Sequence, residues 1–497
     1  MDKKFYITAA IPYVNAAPHI GHALEFVQTD TIARYHKLMG ESVLTLSGGD
    51  ENALKNVQAA EKAGEEVQAF VDKNTEKFFD LTKKINCQFD IWQKGSDQKH
   101  HFPSAQKLWG LCGKAGDIYK KTYEGLYCVG CEQFYLPSEL NENGECFEHP
   151  GKKLEIVSEE NYFFKLSKYQ KELVDLIESD KLKIIPIERK NEVLSFLKEP
   201  LQDISISRSN ERAKNWGVPV PNDKTQRIYV WFDALNIYQS GVGFSWDEEK
   251  YKKWWPADLH VIGKGITRFH AVYWPAFLLS AKLQLPKAIF IHGYFTVNGQ
   301  KMSKTLGNVI DPVNIIEKYG ADALRYYLLA KFSPFTDGDF SEEKLKDVYN
   351  GELANGLGNL VARIAKVCEN IDITMTAISK KVAGVENKIV FWIPDPDLER
   401  KYIEAIKNYR FDEALRLVWE KIADLDGKIS NKKPWEYGKS ERDSEEIENF
   451  LKEDAVLWIR DIAKLLKPFL PETAEKIEKQ FKGPKIVSGD SLFPRLK

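Results

Sequence analysis

The sequence predicts an α/β domain on a parallel sheet, interrupted by a cysteine-bearing insertion and followed by an all-α domain. Three observations carry that expectation. A buried-strand pattern at residues 4–10, helical periodicity at 22–39 and a β-rich run at 42–47 form a strand–helix–strand unit, and such a crossover joins parallel strands. Around residues 119–150 the chain turns aromatic, cysteine-containing and loop-rich before strand patterns return. From residue 341 onward it reads as helix almost throughout.

Each element has its own cue. Pro12, Asn15 and Pro18 mark a loop after the first strand. Leu24, Val27, Thr31, Tyr35 and Leu38 then recur at three- and four-residue steps, and Gly40 supplies a stop. The β-rich run ends in Gly48-Gly49-Asp50. Helical periodicity covers 167–182, alternation returns at 226–232 and 259–262, and a helix at 267–283 precedes a strand at 288–292. The sheet is thus expected to be split by an insertion of about 110 residues, within ordinary domain sizes. Residues 295–297 and 300–302 flank Asn298-Gly299, the strongest short hairpin signal. Long amphipathic stretches at 398–431 and 455–467 announce the helical domain.

Composition bounds the function. At 497 residues the chain exceeds one core and suggests roughly three domains. Lys+Arg (71) and Asp+Glu (73) leave a formal charge of -2, so any nucleic-acid surface must be local. No apolar run approaches the ~18 residues of a membrane span. Pro12 breaks the apolar stretch within residues 1–14, which argues against a signal peptide. Of six cysteines, Cys87, Cys112, Cys128 and Cys368 lack an obvious sequence-close disulfide partner, which fits a reducing compartment and the cytoplasm.

Pro18-His19-Ile20-Gly21-His22 lies at the first strand-to-helix junction. The two histidines are expected on one face of the first turn, where unsatisfied N–H groups and the positive dipole end favour phosphate. Gly21 lets a planar base or a phosphate approach the backbone. Two helix-capping histidines are the plainer reading. Lys301-Met302-Ser303-Lys304 follows the hairpin, and two lysines around a serine can clamp a leaving pyrophosphate, although lysine pairs on loops are common. Taken together, His19-Ile20-Gly21-His22 and Lys301-Met302-Ser303-Lys304-Thr305 resemble the HIGH and KMSKS signatures of class I aminoacyl-tRNA synthetases.

Cys128-Val129-Gly130-Cys131 and Cys146-Phe147-Glu148-His149 form two hooks separated by 14 residues, the spacing of a structural Cys3His zinc knuckle. A redox C-x-x-C competes, but it needs no second hook and usually opens a helix. Four protein ligands leave no position for catalysis, so the knuckle reads as structural.

The resemblance narrows to the methionyl-tRNA synthetase family and covers nearly the whole chain. It is carried by residues 10–13, 127–140, 160–169, 205–208, 216–221, 229–234, 262–264, 291–296 and 358–363. It implies a Rossmann-type catalytic domain with a zinc-knuckle insertion and a helical-bundle anticodon-binding domain. Methionine would lie against Ala10, Ile11 and Tyr13, with its ammonium held by Asp50 and its thioether by Trp231, Ala234, Leu235, Tyr238, Ile266 and His270. A soft thioether calls for an aromatic slot with one or two polar tips, and Tyr238 and His270 are expected to offer an O–H and an N–H near sulfur. Core packing remains the alternative for Trp231 and Trp274, and a turn role for Asp50. ATP would meet His19, Gly21, His22, Gly263, Lys301, Ser303 and Lys304, with Mg2+. Asn359 and Arg363, four apart on a helix, and Trp435 after Pro434 would read a CAU anticodon, by stacking and by amide and guanidinium donors.

Three positions depart from the family pattern. Asn52 stands where an Asp-x-His-Gly run has its histidine, Gly265 where Gly-Lys-Asp has its carboxylate, and Thr305 where a serine is usual. The implied activity is methionine–tRNA ligation through a methionyl-adenylate. A class I synthetase for cysteine, leucine, isoleucine or valine, and an inactive RNA-binding paralogue, are the alternatives. Expected partners are ATP, methionine and the acceptor stem and anticodon of tRNA(Met). No membrane partner is expected, and the short tail after the last helix suggests a monomer. Expected boundaries are 1–113 and 227–292 for the catalytic domain and 114–226 for the insertion, with its knuckle at 126–150. A KMSKS-loop and stem-contact region follows at 293–350, and the helical domain at 351–497.

Overall fold

The computed structural model describes residues 3–131, 133–135, 137–148, 151–302, 307–369, 371, 373, 395–436 and 441–496. Six strands form one wholly parallel sheet: β1 (Lys4–Ala9), β2 (Ser42–Gly49), β3 (Ile91–Lys94), β4 (Lys183–Ile185), β5 (Leu259–Gly263) and β6 (Ala288–His292), in the order β3-β2-β1-β5-β6-β4. The strand order reverses between β1 and β5. In open α/β sheets the crevice beyond the carboxyl ends at such a switch point is where ligands bind.

The chain falls into two compact units. One comprises Met1–Pro18, Ser42–Lys83 and Gln88–Gly293; the other comprises His19–Glu41, Lys84–Cys87 and Tyr294–Lys497. The first holds the sheet and the insertion. Strands Ile118–Cys128 and Glu155–Phe164 pair antiparallel from Ile118↔Phe164 to Tyr127↔Glu155, a ribbon whose tip carries Cys128.

Several elements differ from expectation. Residues 183–185, inside the expected insertion, supply the edge strand β4. The run at 226–232 is not a strand of the parallel sheet. Its strand, Asp223–Ile228, pairs antiparallel in a separate three-stranded sheet, and the chain turns helical at Val230–Leu235. Apolar residues continue through that change, so period alone did not mark it. The helix expected at 267–283 is a 3-10 turn (Lys264–Ile266), a π turn (Phe269–Tyr273) and an α-helix (Trp274–Ser280).

The second unit contains α1 (Ile20–Leu38), the hairpin and the C-terminal helices. Helix α1 starts two residues earlier than its periodicity suggests, and it is buried on more than one face: Leu24, Val27, Thr31 and Tyr35 are buried, but so are Phe26, Asp30 and Ile32. In the hairpin, Thr296↔Lys301 and Val297↔Gln300 pair across Asn298 (φ 54°) and Gly299 (φ 71°), the positive-φ pair its turn requires. Two downstream helices open on aspartate caps followed by proline. Asp311 and Asp395 accept the Val313 and Leu398 amides ahead of Pro312 and Pro396. The stretch at 398–431 is two helices, Pro396–Lys407 and Phe411–Lys432, broken where Tyr409 adopts φ 58°. Among the described residues, no helix is long and apolar enough to cross a membrane.

Candidate functional site

The first unit carries an aromatic pocket at the switch point. Ala10 and Ile11 follow β1, and Asp50 follows β2. Tyr13 and Asp50 form an isolated parallel bridge, and the Asp50 amide donates to the Pro12 carbonyl at 2.9 Å. Trp231, Ala234, Leu235 and Tyr238 recur at helical steps, and Ile266 and His270 come four apart from the segment after β5. Ile11, Asp50, Trp231, Ala234, Leu235, Tyr238, Ile266 and His270 line one cavity. Ala10 is buried beside it, its carbonyl accepting from Ser47 Oγ. Tyr13 packs edge-on against Trp231 at 6.0 Å, and Trp231 stacks on Phe269 at 3.6 Å. Gly263 ends β5.

The polar tips of the pocket are arranged differently from expectation. His270 Nδ1 lies 3.0 Å from the Ile266 carbonyl, which can only accept, so Nδ1 carries the hydrogen. Burial pushes the His270 imidazole down to about 4, so the ring is neutral and Nε2 accepts. The Tyr238 hydroxyl, 2.8 Å away, therefore donates to it. Both hydrogens are committed inside the protein, and the tyrosine oxygen keeps only lone pairs for a ligand. Trp274 is fully buried, as its core-packing reading expects.

Two groups escaped sequence reasoning. Asp233, in the same short helix as Trp231, is buried; burial, and then the charge of Asp50, push its carboxyl well above the usual range. Asn52 Nδ2 donates to Asp233 Oδ2 and to the Gly95 carbonyl, each at 2.8 Å, so Asn52 takes a loop-backbone contact. Arg208 is buried among Tyr229, Tyr127 and Phe134, with its guanidinium carbon 4.4, 5.1 and 5.0 Å from their ring centres. An aspartate inside the apolar run at 229–235 was the one available cue. Gly265 lies in the 3-10 turn Lys264–Ile266, closed by Thr267 Oγ1 donating to the Lys264 carbonyl.

The insertion brings three thiols together. Cys146 Sγ lies 3.3 Å from Cys128 Sγ and 3.6 Å from Cys131 Sγ, and all three fall within 4.8 Å of one another. Zinc–sulfur bonds of about 2.3 Å in a tetrahedron place sulfurs roughly 3.8 Å apart, so the cluster fits a metal ion. His149 lies outside the described residues.

The second unit carries the histidine motif. His19 is the N-cap of α1: its Nδ1 accepts the Gly21 amide, and His22 Nδ1 accepts the His19 amide, each at 3.1 Å. This reciprocal capping matches the plainer reading and still leaves chemistry, because neutral rings accepting at Nδ1 carry their hydrogens on Nε2. A Cβ on Gly21 would sit 3.0 Å from His19 Cε1 and 3.9 Å from the Met302 methyl, so glycine keeps the rings close to the backbone. The Ile20 amide donates to the Ile310 carbonyl at 3.0 Å, and Asn308 Nδ2 donates to the Lys301 carbonyl at 3.3 Å. Residues on both flanks of the lysine loop, Met302 and Ile310, therefore lie against the start of α1. Lys301 is exposed at the end of the hairpin; Ser303, Lys304 and Thr305 lie outside the described residues.

In the same unit, Arg363 donates to Asp426 Oδ1 at 2.6 Å and to Ser430 Oγ at 3.2 Å. Its guanidinium lies 5.2 Å from the Trp435 ring centre, and Trp435 is 54% exposed. Asn359 is exposed one turn earlier.

Comparison with known proteins agrees with this layout. The family described as tRNA synthetases class I (M) matches residues 5–365, and the anticodon-binding domain of tRNA ligases matches residues 397–497. A methionine--tRNA ligase of Thermotoga maritima is 39% identical over 99% of this chain and 80% of its own length. One from a Nostoc species is 40% identical over 96% and 90%. The structure of Mycobacterium tuberculosis methionyl-tRNA synthetase in complex with methionyl-adenylate superposes with a TM-score of 0.88 at 36% identity, covering 99% of this chain and 100% of that one. The chain belongs to the methionine--tRNA ligase family of class I aminoacyl-tRNA synthetases.

Proposed function

We propose that the two constellations divide the work of a methionine--tRNA ligase. The aromatic pocket receives methionine, Asp50 takes its ammonium, and Trp231, Tyr238 and His270 enclose the thioether. The motif residues His19, Gly21, His22, Lys301, Ser303 and Lys304, with Gly263, bind ATP together with Mg2+. The methionine carboxylate attacks the α-phosphorus, the bond to the β-phosphate oxygen breaks, and pyrophosphate leaves with the electron pair. The terminal ribose hydroxyl of the tRNA then attacks the acyl carbon and expels AMP. Such transfers ask for positioning and charge stabilisation, which the Nε2–H donors and the lysines supply; no side chain acts as nucleophile.

The single observation that carries this reading is the pocket itself, aromatic and walled by Asp50, at the point where the strand order reverses. Amino-acid-dependent ATP–pyrophosphate exchange tests it. Methionine is expected to support exchange and charging of tRNA(Met); equal kcat/KM with cysteine, leucine, isoleucine or valine overturns the substrate.

The finer features belong to the same proposal. Cys128, Cys131, Cys146 and His149 hold one structural Zn2+, which ties the tip of the insertion into a fixed fold. Asn359, Arg363 and Trp435 read the CAU anticodon, and residues 293–350 meet the acceptor stem. The enzyme works as a cytoplasmic monomer, where thiols stay reduced.

A further inference from the structure

Among the described residues of the second unit, the most deeply buried charge is Arg325, in the helix Ala321–Ala330; its side chain is 0% exposed. Its Nη2 lies 2.8 Å from Asp30 Oδ2, itself 1% exposed, on α1. The other donors reach two further segments. Nε donates to the Phe469 carbonyl at 2.7 Å and Nη2 to Pro468 at 3.1 Å, at the turn before helix Pro471–Gln480. Nη1 donates to the Ile85 and Asn86 carbonyls and to Cys87 Sγ, each at 3.3 Å. Asp30 also holds Arg34 at 2.6 Å, and Arg34 reaches the Asn86 carbonyl at 2.8 Å. One guanidinium thus joins the helix of the histidine motif to the turn that precedes helix Pro471–Gln480.

Stability alone does not call for this arrangement, since a buried ion pair is often no better than an apolar replacement. A planar fork with fixed donor directions does specify geometry, and lysine cannot reproduce it. Eight residues separate Asp30 from His22, about 12 Å along one unbroken helix, so a shift at Asp30 is delivered to the histidine pair. We propose that Arg325 is a positioning residue for the nucleotide, fixing α1 and its His19–His22 pair to the turn at residues 468–470. The inference rests on those histidines contacting ATP.

The test is steady-state ATP–pyrophosphate exchange on the full chain, with KM measured separately for ATP and methionine. Arg325→Lys and Asp30→Asn are each expected to raise KM for ATP about 10-fold while leaving KM for methionine within about 2-fold, because misplacement affects only the nucleotide. The double variant is expected to be no worse than the more severe single, as for residues acting through one contact. Asp322→Ala removes the carboxylate that accepts the Thr473 amide at 2.6 Å, in the first turn of helix Pro471–Gln480, and leaves the Arg325–Asp30 pair in place. It is expected to lower the melting temperature and leave both KM values in place. An unmoved KM for ATP in Arg325→Lys, an equal rise in both KM values, or the same ATP effect in Asp322→Ala overturns the proposal. His22→Ala separates the two readings. An unmoved KM for ATP there fails the nucleotide assignment itself; a raised one beside an unmoved Arg325→Lys fails only the coupling.

Discussion

The Ile20 amide and the Ile310 carbonyl share a 3.0 Å hydrogen bond, so the first residue of α1 and a residue just past the lysine loop are held together. They are 290 positions apart in sequence. Their contact sets the chain just past the lysine loop against the first turn of α1.

Asp50 is the carboxylate that lines the aromatic pocket. Replacing it by asparagine keeps the shape and removes the charge that the proposed function sets opposite the substrate ammonium. A charge-assisted hydrogen bond contributes about 2 kcal/mol, so KM for methionine is expected to rise about 30-fold in Asp50→Asn. Pyrophosphate exchange against methionine concentration reads this directly, and an unchanged KM removes Asp50 from that role.

Three buried histidines give the protein a pH limit, and burial, with His270 nearby, holds His260 well below the usual range. Burial pushes His270 down to about 4 and His101 down to about 3. Above the unfolded value near 6.5 all three are neutral in either state, and stability is independent of these groups. Below it the unfolded chain takes up protons that the folded chain refuses, so stability falls as pH drops from 6.5 toward 4. His101 contributes a loss of about 2 kcal/mol by pH 5. Denaturant titrations at pH 7 and pH 5 are expected to show this decline, and His101→Asn is expected to reduce it by about 2 kcal/mol while leaving the contributions of the other buried histidines.

Trp435 is over half exposed beside the Arg363 guanidinium, as a base-stacking platform requires. Stacking contributes about 1–3 kcal/mol per base, so Trp435→Ala is expected to raise KM for tRNA at least about 5-fold. Exchange without tRNA is expected to be untouched. Loss of exchange in that variant shows instead that the ring supports the fold.

The elements most legible in the sequence were those whose cues are local. Residues 4–10 read as a strand because their apolar run is short and ends before Pro12. The Asn298-Gly299 hairpin followed from turn chemistry alone. The change from strand to helix at Tyr229 was not legible, because Tyr229, Val230 and Phe232 are buried in either state and the alternation simply continues. Asp233 and Arg208 were missed for a related reason. Their importance lies in being buried beside Asn52 and among three rings, and burial of a charged group is a tertiary fact. Even the pair Tyr238 and His270, which the sequence reading put in one pocket, concealed its hydrogen-bond direction, which depends on the Ile266 carbonyl one helical turn away.

The grip of the histidine pair and the lysine loop on one nucleotide is tested most directly by methionine-dependent ATP–pyrophosphate exchange in Lys304→Ala, with methionine affinity measured alongside by calorimetry. On the proposed role of Lys304 at the leaving pyrophosphate, removing its charge is expected to slow exchange about 100-fold or more while methionine affinity stays unchanged. Exchange at the unsubstituted rate contradicts that grip.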